Sequence, residues 1–188
     1  ILVTERLRLR GWRDEDRPVY AAINADPEVT RYLSKQFDRD ETDRMVDRML
    51  AGWAGRGFGL WAVERQSDAE LLGMTGLSPH ELPEPLGSVV EVGWRFARHA
   101  WGRGYATEAA AAAVGFGFEQ LGLEEIVSFM AFDNVRSRRV MERLGMRRDP
   151  ADDFEHPMFP PGHPLRAHVL YRLARAGWIA VRPPRPSR

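Results

Sequence analysis

The chain has 188 residues, 27 basic and 27 acidic side chains and no cysteine, and 44% of its residues are hydrophobic. A formal net charge of zero excludes the dense basic footprint on which charge-driven binding to nucleic acid or to an anionic membrane surface depends. The missing cysteines exclude disulfides, thiolate nucleophiles and Cys-based zinc or iron–sulfur sites, and point to the cytoplasm by default. A chain of this length removes about 70% of its unfolded surface from water, enough for one soluble globular domain without staples. That domain is expected over residues 1–181, followed by a disordered Pro/Arg-rich tail over 182–188. The longest uncharged apolar stretch, Ala109 to Phe118, is about half of the ~20 residues that cross a bilayer. The charged opening, Ile1 to Arg10, reads as neither a signal peptide nor a targeting helix.

In chain order, Val3, Leu7 and Leu9 interleave with Leu2, Thr4, Arg6, Arg8 and Arg10, which predicts one strand with one apolar face. Asp14 is the expected N-cap of a helix carrying Val19, Ala22 and Ile23, ended by Asp26-Pro27. A short helix over Pro27 to Leu33 begins on proline. Asp40 is the expected cap of a longer helix with Met45, Met49 and Trp53 at four-residue spacing, closing in the glycines at 52, 55 and 57. Phe58–Glu64 and Leu71–Leu77 are β-rich runs joined by a polar turn, a hairpin signal. A loop over Ser78 to Ser88, rich in proline, precedes a third run from Val89 to Phe96.

From Ala106 to Leu121 an alanine-rich helix sets Ala110, Val114, Phe118 and Leu121 on one face, with Gly122 as its stop. Ile126 to Phe132 is the next strand, Asn134 to Leu144 a helix closed by Gly145, and Arg166 to Leu173 a last strand with Val169, Tyr171 and Leu173 on one side. This order predicts an α/β layered domain with a mixed sheet. Trp53, Trp61 and Trp178 are expected as core or interface filler.

The chemistry concentrates in two segments. Trp101-Gly102-Arg103-Gly104-Tyr105-Ala106-Thr107-Glu108 joins the third run to the alanine helix. Glycines let backbone N–H groups approach a ligand, and a helix N-terminus adds unpaired donors and about half a positive charge. A diphosphate is the natural occupant, with Arg103 as charge partner and the Thr107 hydroxyl as a further donor. The plain structural reading is a tightly packed strand-to-helix turn. Gly102 and Gly104 also begin a GxGxxG pattern with Thr107 in third place, but Glu124 and Glu125 precede their strand, where a dinucleotide fold expects an acid at a strand end. The dinucleotide reading therefore loses. In the second segment, Asn134 and Ser137 lie three apart at a helix start and can face the cleft of the glycine turn, although Asn134 by itself reads as a cap.

Together these segments resemble the GNAT superfamily of acyl-CoA-dependent N-acyltransferases. The glycine turn is similar to the family's [Gln/Arg]-x-x-Gly-x-[Gly/Ala] diphosphate motif, with Gly104 and Ala106 on its last defined positions and Trp101 departing from the usual Gln or Arg. The string from Trp101 to Ala109 is how the RimJ/RimL-type branch, named for ribosomal-protein N-terminal acetyltransferases, commonly writes that motif. Asn134-x-x-Ser137 with Glu142-Arg143-Leu144-Gly145-Met146 resembles the second family motif, and Thr4 to Arg10 with Asn24 to Val29 resembles the branch's N-terminal region. The likeness spans the chain to about Leu173.

The resemblance implies a GNAT fold, a largely antiparallel mixed sheet flanked by helices, and transfer of acetyl from acetyl-CoA to a primary amine by direct attack. It implies that the strand Val89–Phe96 splays from its neighbour and that Trp94 and Phe96 supply backbone contacts to the pantetheine arm. The lack of cysteine and of a Gly-x-Ser-x-Gly elbow is compatible with a reaction that forms no acyl-enzyme. Glu91, a carboxylate in an apolar strand whose burial would raise its pKa, is the candidate base. The ordinary alternative is an ion pair on the sheet, and water could also carry the proton. Ser137 is the candidate acid toward the leaving thiolate or a CoA contact, and Tyr105, inside the turn, is a poor substitute. The cofactor set is thus Trp94, Phe96, Trp101, Gly102, Arg103, Gly104, Tyr105, Ala106, Thr107, Asn134 and Ser137.

His156, His163 and His168 fit no compact ligand spacing, so no metal is expected, and their segment reads as an ordered loop that could line the acceptor cleft or a dimer contact. The acceptor pocket is expected from Asp26–Phe37 and Ser78–Ser88, with Glu28 and Tyr32 as candidates and the amine itself open. A homodimer is compatible with the resemblance. The rival from another class is a non-catalytic acyl-CoA-binding or regulatory module.

Overall fold

The computed structural model describes residues 1–181, and side chains as far as Trp178; the tail expected over 182–188 lies outside the described residues. The opening is a hairpin, not one strand. β1 (Leu2–Val3) pairs antiparallel with β2 (Leu7–Arg10), placing Leu2 opposite Leu9. The turn is closed by Thr4, whose Oγ1 accepts from the Leu7 N–H at 3.1 Å. Leu7 and Leu9 are fully buried, and so, against the alternation, is Arg10 at 4% exposure. Its guanidinium reaches Asp16 at 2.7 Å and Glu64 at 2.7 Å, a buried set of charges that satisfies itself.

That set also explains where the first helix begins. α1 (Asp16–Ala25) starts two residues after the expected cap Asp14, because Asp16 accepts from Arg10 and from the Arg13 N–H at 2.8 Å. Asp14 is left to pair with Arg17. α2 (Pro27–Thr30) is shorter than expected and is capped by Asp26. α3 (Arg39–Arg56) is capped by Asp38, not Asp40, since Glu41 sits where it completes a reciprocal capping box; the helix ends at Gly57 with φ 75°.

β3 (Leu60–Arg65) and β4 (Leu71–Leu82) form the expected hairpin. β4 then continues through residues expected as loop and pairs with β5 (Gly87–Phe96) from Gly73↔Phe96 to Leu82↔Gly87. Its pairing with β3 ends at Leu60↔Gly76, so Pro79 stands on what is there an edge strand, where proline is tolerated. α4 (Tyr105–Glu119), β6 (Glu125–Ala131), α5 (Val135–Arg143), β7 (Arg147–Arg148), β8 (Phe154–Glu155), β9 (Ala167–Ala174) and α6 (Arg175–Val181) follow. The strand order is β1-β2-β3-β4-β5-β6-β9-β7, with β8 also on β9. Every pairing is antiparallel except β5 with β6.

Each face of the sheet carries its own core. On one, Leu77, Val92 and Ile126 pack with Ala110, Val114 and Phe118 of α4, the helical face read from the alanine pattern; Leu121 lies past the helix end and is partly buried. Trp53 and Phe116 meet Trp61 edge-on, and Trp178 tilts against Phe118, so these tryptophans fill the core. On the other face, Tyr20, Ile23, Val46 and Met49 of α1 and α3 cover Ala62 and Met74. Among the described residues no helix is long and apolar enough to cross a membrane.

Candidate active site

At the end of β5 a single 3₁₀ turn, Arg98–Ala100, leads into the glycine segment. Gly102 and Gly104 both adopt left-handed backbone conformations, with φ 74° and 82°, and Gly104 is the N-cap of α4. The space above Gly102 is open: a Cβ there would meet nothing within 4 Å. The turn is held from behind by the N-terminal hairpin. Arg6 donates to the Arg103 carbonyl at 2.9 Å and to Glu108 at 2.7 Å, and Thr4 donates to Glu108 at 2.6 Å. Burial works against ionisation of Glu108, but Thr4 and Arg6 outweigh it and hold this carboxyl below its ordinary range. Arg6 also lies over the Tyr105 ring, 4.7 Å from its centroid, so that side chain is buried beneath the hairpin's guanidinium. The Arg103 side chain is exposed, while Ala106 and Thr107 lie half-buried in the first turn of α4.

The second feature is a gap in the sheet. β5 and β6 share the single register pair Glu91↔Val127, whereas β4 lines β5 along its whole length and β9 lines all of β6. Beyond Glu91, the backbone groups of β5 that face β6 have no ladder partner. The indole of Trp94 crosses the opening on the α4 side and donates to Ser137 Oγ of α5 at 3.2 Å. Asn134 is the helix cap, its Oδ1 accepting from the Ser137 N–H at 3.2 Å. Trp101 donates to the Phe96 carbonyl at 2.9 Å and lies under Arg136 of α5 at 4.4 Å. Phe96 itself is buried in the core. The glycine turn and the start of α5 are thus neighbours. Arg136, an exposed cation at their junction, escaped sequence reasoning because nothing local distinguishes it from the arginines around it.

Glu91 points to the opposite face. Its Oε2 lies 2.9 Å from His80 Nε2, a diagonal cross-strand pair, since Ser78 is opposite Glu91 and His80 opposite Val89. The carboxylate is therefore not alone among apolar groups, as the strand pattern had suggested, but paired across the ladder. The hydrogen bond to Glu91 raises the His80 pKa above its ordinary value, against the opposing effect of burial. His80 was missed because the proline-rich stretch read as loop; continued period-2 alternation through Pro79 would have found it. The His80 ring meets Phe129 edge-on at 5.3 Å, and Phe129 leads into an aromatic group with Phe154, His156, Phe159 and His168. His156 and His168 are 4.8 Å apart, and His163 stacks on Phe159. Burial pushes His168 down to about 4, so it is neutral at pH 7 and packs as an aromatic ring. Among the described residues no group of three or more His, Cys, Asp or Glu is arranged to hold a metal.

On this same face Gly93 and Arg95 follow Glu91 along β5, opposite Gly76 and Met74. Arg95 donates to Asn24 Oδ1 at 2.7 Å and to the Met45 sulfur at 3.6 Å, and its guanidinium lies 5.4 Å from the Phe37 ring centroid. Arg95 thus gathers groups from α1, α3 and the 31–37 segment, and only the last of these lies in the region expected to build the acceptor pocket. Within the nearer part of that region Tyr32 sits beside Arg31 at the surface, and Glu28 is engaged through its N–H by Asp26.

A sequence profile described as Acetyltransferase (GNAT) domain matches residues 6–147. The chain is 35% identical over 146 residues to the Bacillus subtilis protein YkkB, covering 77% of this chain and 84% of that one. It is 29% identical over 194 residues to the FsC-acetyl coenzyme A-N(2)-transacetylase of Aspergillus fumigatus, covering 100% and 81%. Among solved structures, an acetyltransferase from Agrobacterium tumefaciens superposes with a TM-score of 0.73 at 31% identity, over 92% of each chain. Glycine turn, interrupted β5/β6 ladder, profile and relatives agree, and the chain belongs to the GNAT acetyltransferase family, as an acyltransferase of that fold.

Proposed function

We propose that the protein is an N-acetyltransferase that moves acetyl from acetyl-CoA to a primary amine in one direct step. The observation that carries this reading is the interruption of the β5/β6 ladder after Glu91, with the left-handed glycine turn at the far end of the same strand. The residues suit the group: an open surface over Gly102, the N-terminus of α4 and the exposed cations Arg103 and Arg136 meet a diphosphate, and the unpaired edge of β5 meets an amide-bearing arm. Bound acetyl-CoA supplies the thioester carbonyl that an amine attacks. Gly102, Gly104, Ala106 and Thr107 hold its diphosphate through backbone N–H groups and a hydroxyl; Tyr105 contributes its backbone only. Trp94 offers backbone groups to the arm, whereas the Phe96 carbonyl is taken by Trp101.

Glu91 takes a proton from the attacking nitrogen, and His80, partly exposed beside it, orients the carboxylate and passes the proton to solvent. Ser137 accepts from Trp94 and so keeps its own O–H proton free to donate to the departing thiolate, while Asn134 fixes the helix start that positions it. The name of the Aspergillus relative, an acetyl coenzyme A-N(2)-transacetylase, supports acetyl-CoA as donor and a nitrogen as acceptor. The strings shared with the RimJ/RimL-type branch support a protein N-terminus.

Calorimetric titration with acetyl-CoA tests the reading, with NAD as control. Binding of acetyl-CoA alone is expected. Gly104→Val forces a branched residue into φ 82°, at roughly 1–2 kcal/mol of backbone strain, and blocks approach to the turn. It is expected to weaken acetyl-CoA by at least ~10-fold in a protein that still unfolds cooperatively. No binding to the wild type, or unchanged binding to the variant, removes the assignment.

A further inference from the structure

Among the described residues, the half-buried guanidinium of Arg95 on the Glu91 face has no counter-ion. Arg10, Arg17, Arg65 and Arg172 are guanidinium groups of low exposure, and each holds two carboxylates. Arg95 is partly buried too, yet its polar partners Asn24 and Met45 and the Phe37 ring are all neutral, as is Tyr20, whose pKa burial raises against the opposing pull of Arg95. No carboxylate lies within ion-pairing distance of it among the described residues. A cation removed from water is ordinarily compensated by an anion.

The strand between Arg95 and Glu91 is bare. Gly93 is the only position between them on this face, and the nearest atoms a Cβ there would meet are those of the Glu91 carboxyl, at 3.9 Å, an ordinary van der Waals distance. Its cross-strand partner is Gly76, where a Cβ would run to within 2.2 Å of the Gly59 carbonyl oxygen, so that position cannot carry a side chain. The result is a slot floored by two glycines, with a carboxylate at one end and an unmatched guanidinium at the other.

We infer that this slot selects acceptors carrying an anionic group, a carboxylate, and that Arg95 binds it while the amine lies at Glu91. The inference rests on the acetyltransferase reading above and names the acceptor class for the same site. Glu91 and Arg95 leave the strand about 13 Å apart, so the amine and the carboxylate lie several bonds apart. An ω-amino acid has that shape, and so does a peptide N-terminus followed by an acidic residue. Arg95 touches the acceptor only; it is a specificity residue, not a participant in bond making.

The test compares acid and amide versions of one acceptor by the rate of thiol release from acetyl-CoA. The small-molecule arm pairs 4-aminobutyrate and 6-aminohexanoate with their carboxamides; the peptide arm pairs free-N-terminus peptides with Asp or Asn at the second position. In the wild type the acid of at least one arm is expected to exceed its amide by about 10- to 100-fold in kcat/KM, through KM, as befits a charge-assisted hydrogen bond, and the arm that shows it identifies the source. In Arg95→Gln acid and amide are expected to converge, and Arg95→Lys, which keeps the charge but loses the fork, is expected to retain part of the preference. Equal rates for acid and amide in the wild type overturn the inference whether or not the variants fold, and so does a preference that survives Arg95→Gln. If acetyl-CoA binds but no amine of either arm is acetylated, the acetyltransferase reading falls and this inference with it; turnover without discrimination refutes the inference alone.

Discussion

The two edges of β5 differ. Toward β4 the register runs unbroken from Gly73↔Phe96 to Leu82↔Gly87, and toward β6 it is the single pair Glu91↔Val127. The closed edge belongs to the core: Leu77 and Val92, opposite one another, are fully buried against α4. At the open edge Trp94 reaches across to Ser137 of α5, and Glu91, the one β5 residue in register with β6, turns its side chain to the other face, where it meets His80 of β4. A sheet that abandons its own hydrogen bonds gives up stability locally and leaves backbone groups for a ligand. Changes on the closed edge are therefore expected to act on folding, and changes on the open edge on turnover.

The largest expected effect tests the closed edge. Leu77→Ala removes a fully buried side chain beneath α4 and is expected to destabilise the protein by about 2–5 kcal/mol, read by chemical denaturation, with acetyl-CoA affinity retained wherever the protein is folded. A loss below about 1 kcal/mol would mean that α4 does not depend on this contact.

Glu91→Gln asks the converse question of the open edge. Its size and the fold are kept, so stability is expected to fall by no more than the ~1 kcal/mol of the His80 pair and acetyl-CoA affinity to stay, while acetylation of a working amine falls ~100-fold or more. An unchanged rate would hand the proton to water and leave the acid as a plain sheet ion pair; binding with no turnover in the wild type would favour the non-catalytic module.

The smallest expected effect sharpens the same pair. Because Glu91 raises the His80 pKa, the ionic form of the bond is fully present below His80's ordinary pKa of 6.5 and is lost as pH rises through the folded value above it. His80 is 38% exposed on its side chain, so this adds no more than about 1 kcal/mol. In NMR titrations the His80 midpoint is expected to fall in Glu91→Gln, to or below 6.5, since burial then acts alone. A midpoint that does not move would show that the pair is not formed in solution.

Much of this was legible along the chain. Period and breakers located β3, β5, α4, β6, α5 and β9 to within a few residues, because most are apolar patterns bounded by glycine, proline or a polar turn and the polar α5 is bracketed by Asn134 and Gly145. The glycine turn was legible as an anion site because its chemistry is local: two glycines and a helix start. Caps were less so. Asp38 and Asp40 are equally good cap residues by type, and only the reach of Glu41 chooses between them; Asp14 lost its place because Asp16 is held by Arg10. The strand segment from Ser78 to Leu82 read as loop because prolines mask alternation, and with it went His80.

The sequence by itself determined the element order, the apolar face of α4, the glycine turn and the family resemblance, since each depends on neighbours within about one helical turn or one strand. Only the tertiary structure decided which polar groups meet. His80 and Glu91, Trp94 and Ser137, Arg6 and Glu108, and Arg95 and Asn24 are 11, 43, 102 and 71 residues apart. Their meeting depends on strand register and on helix docking, which are set by packing the whole core.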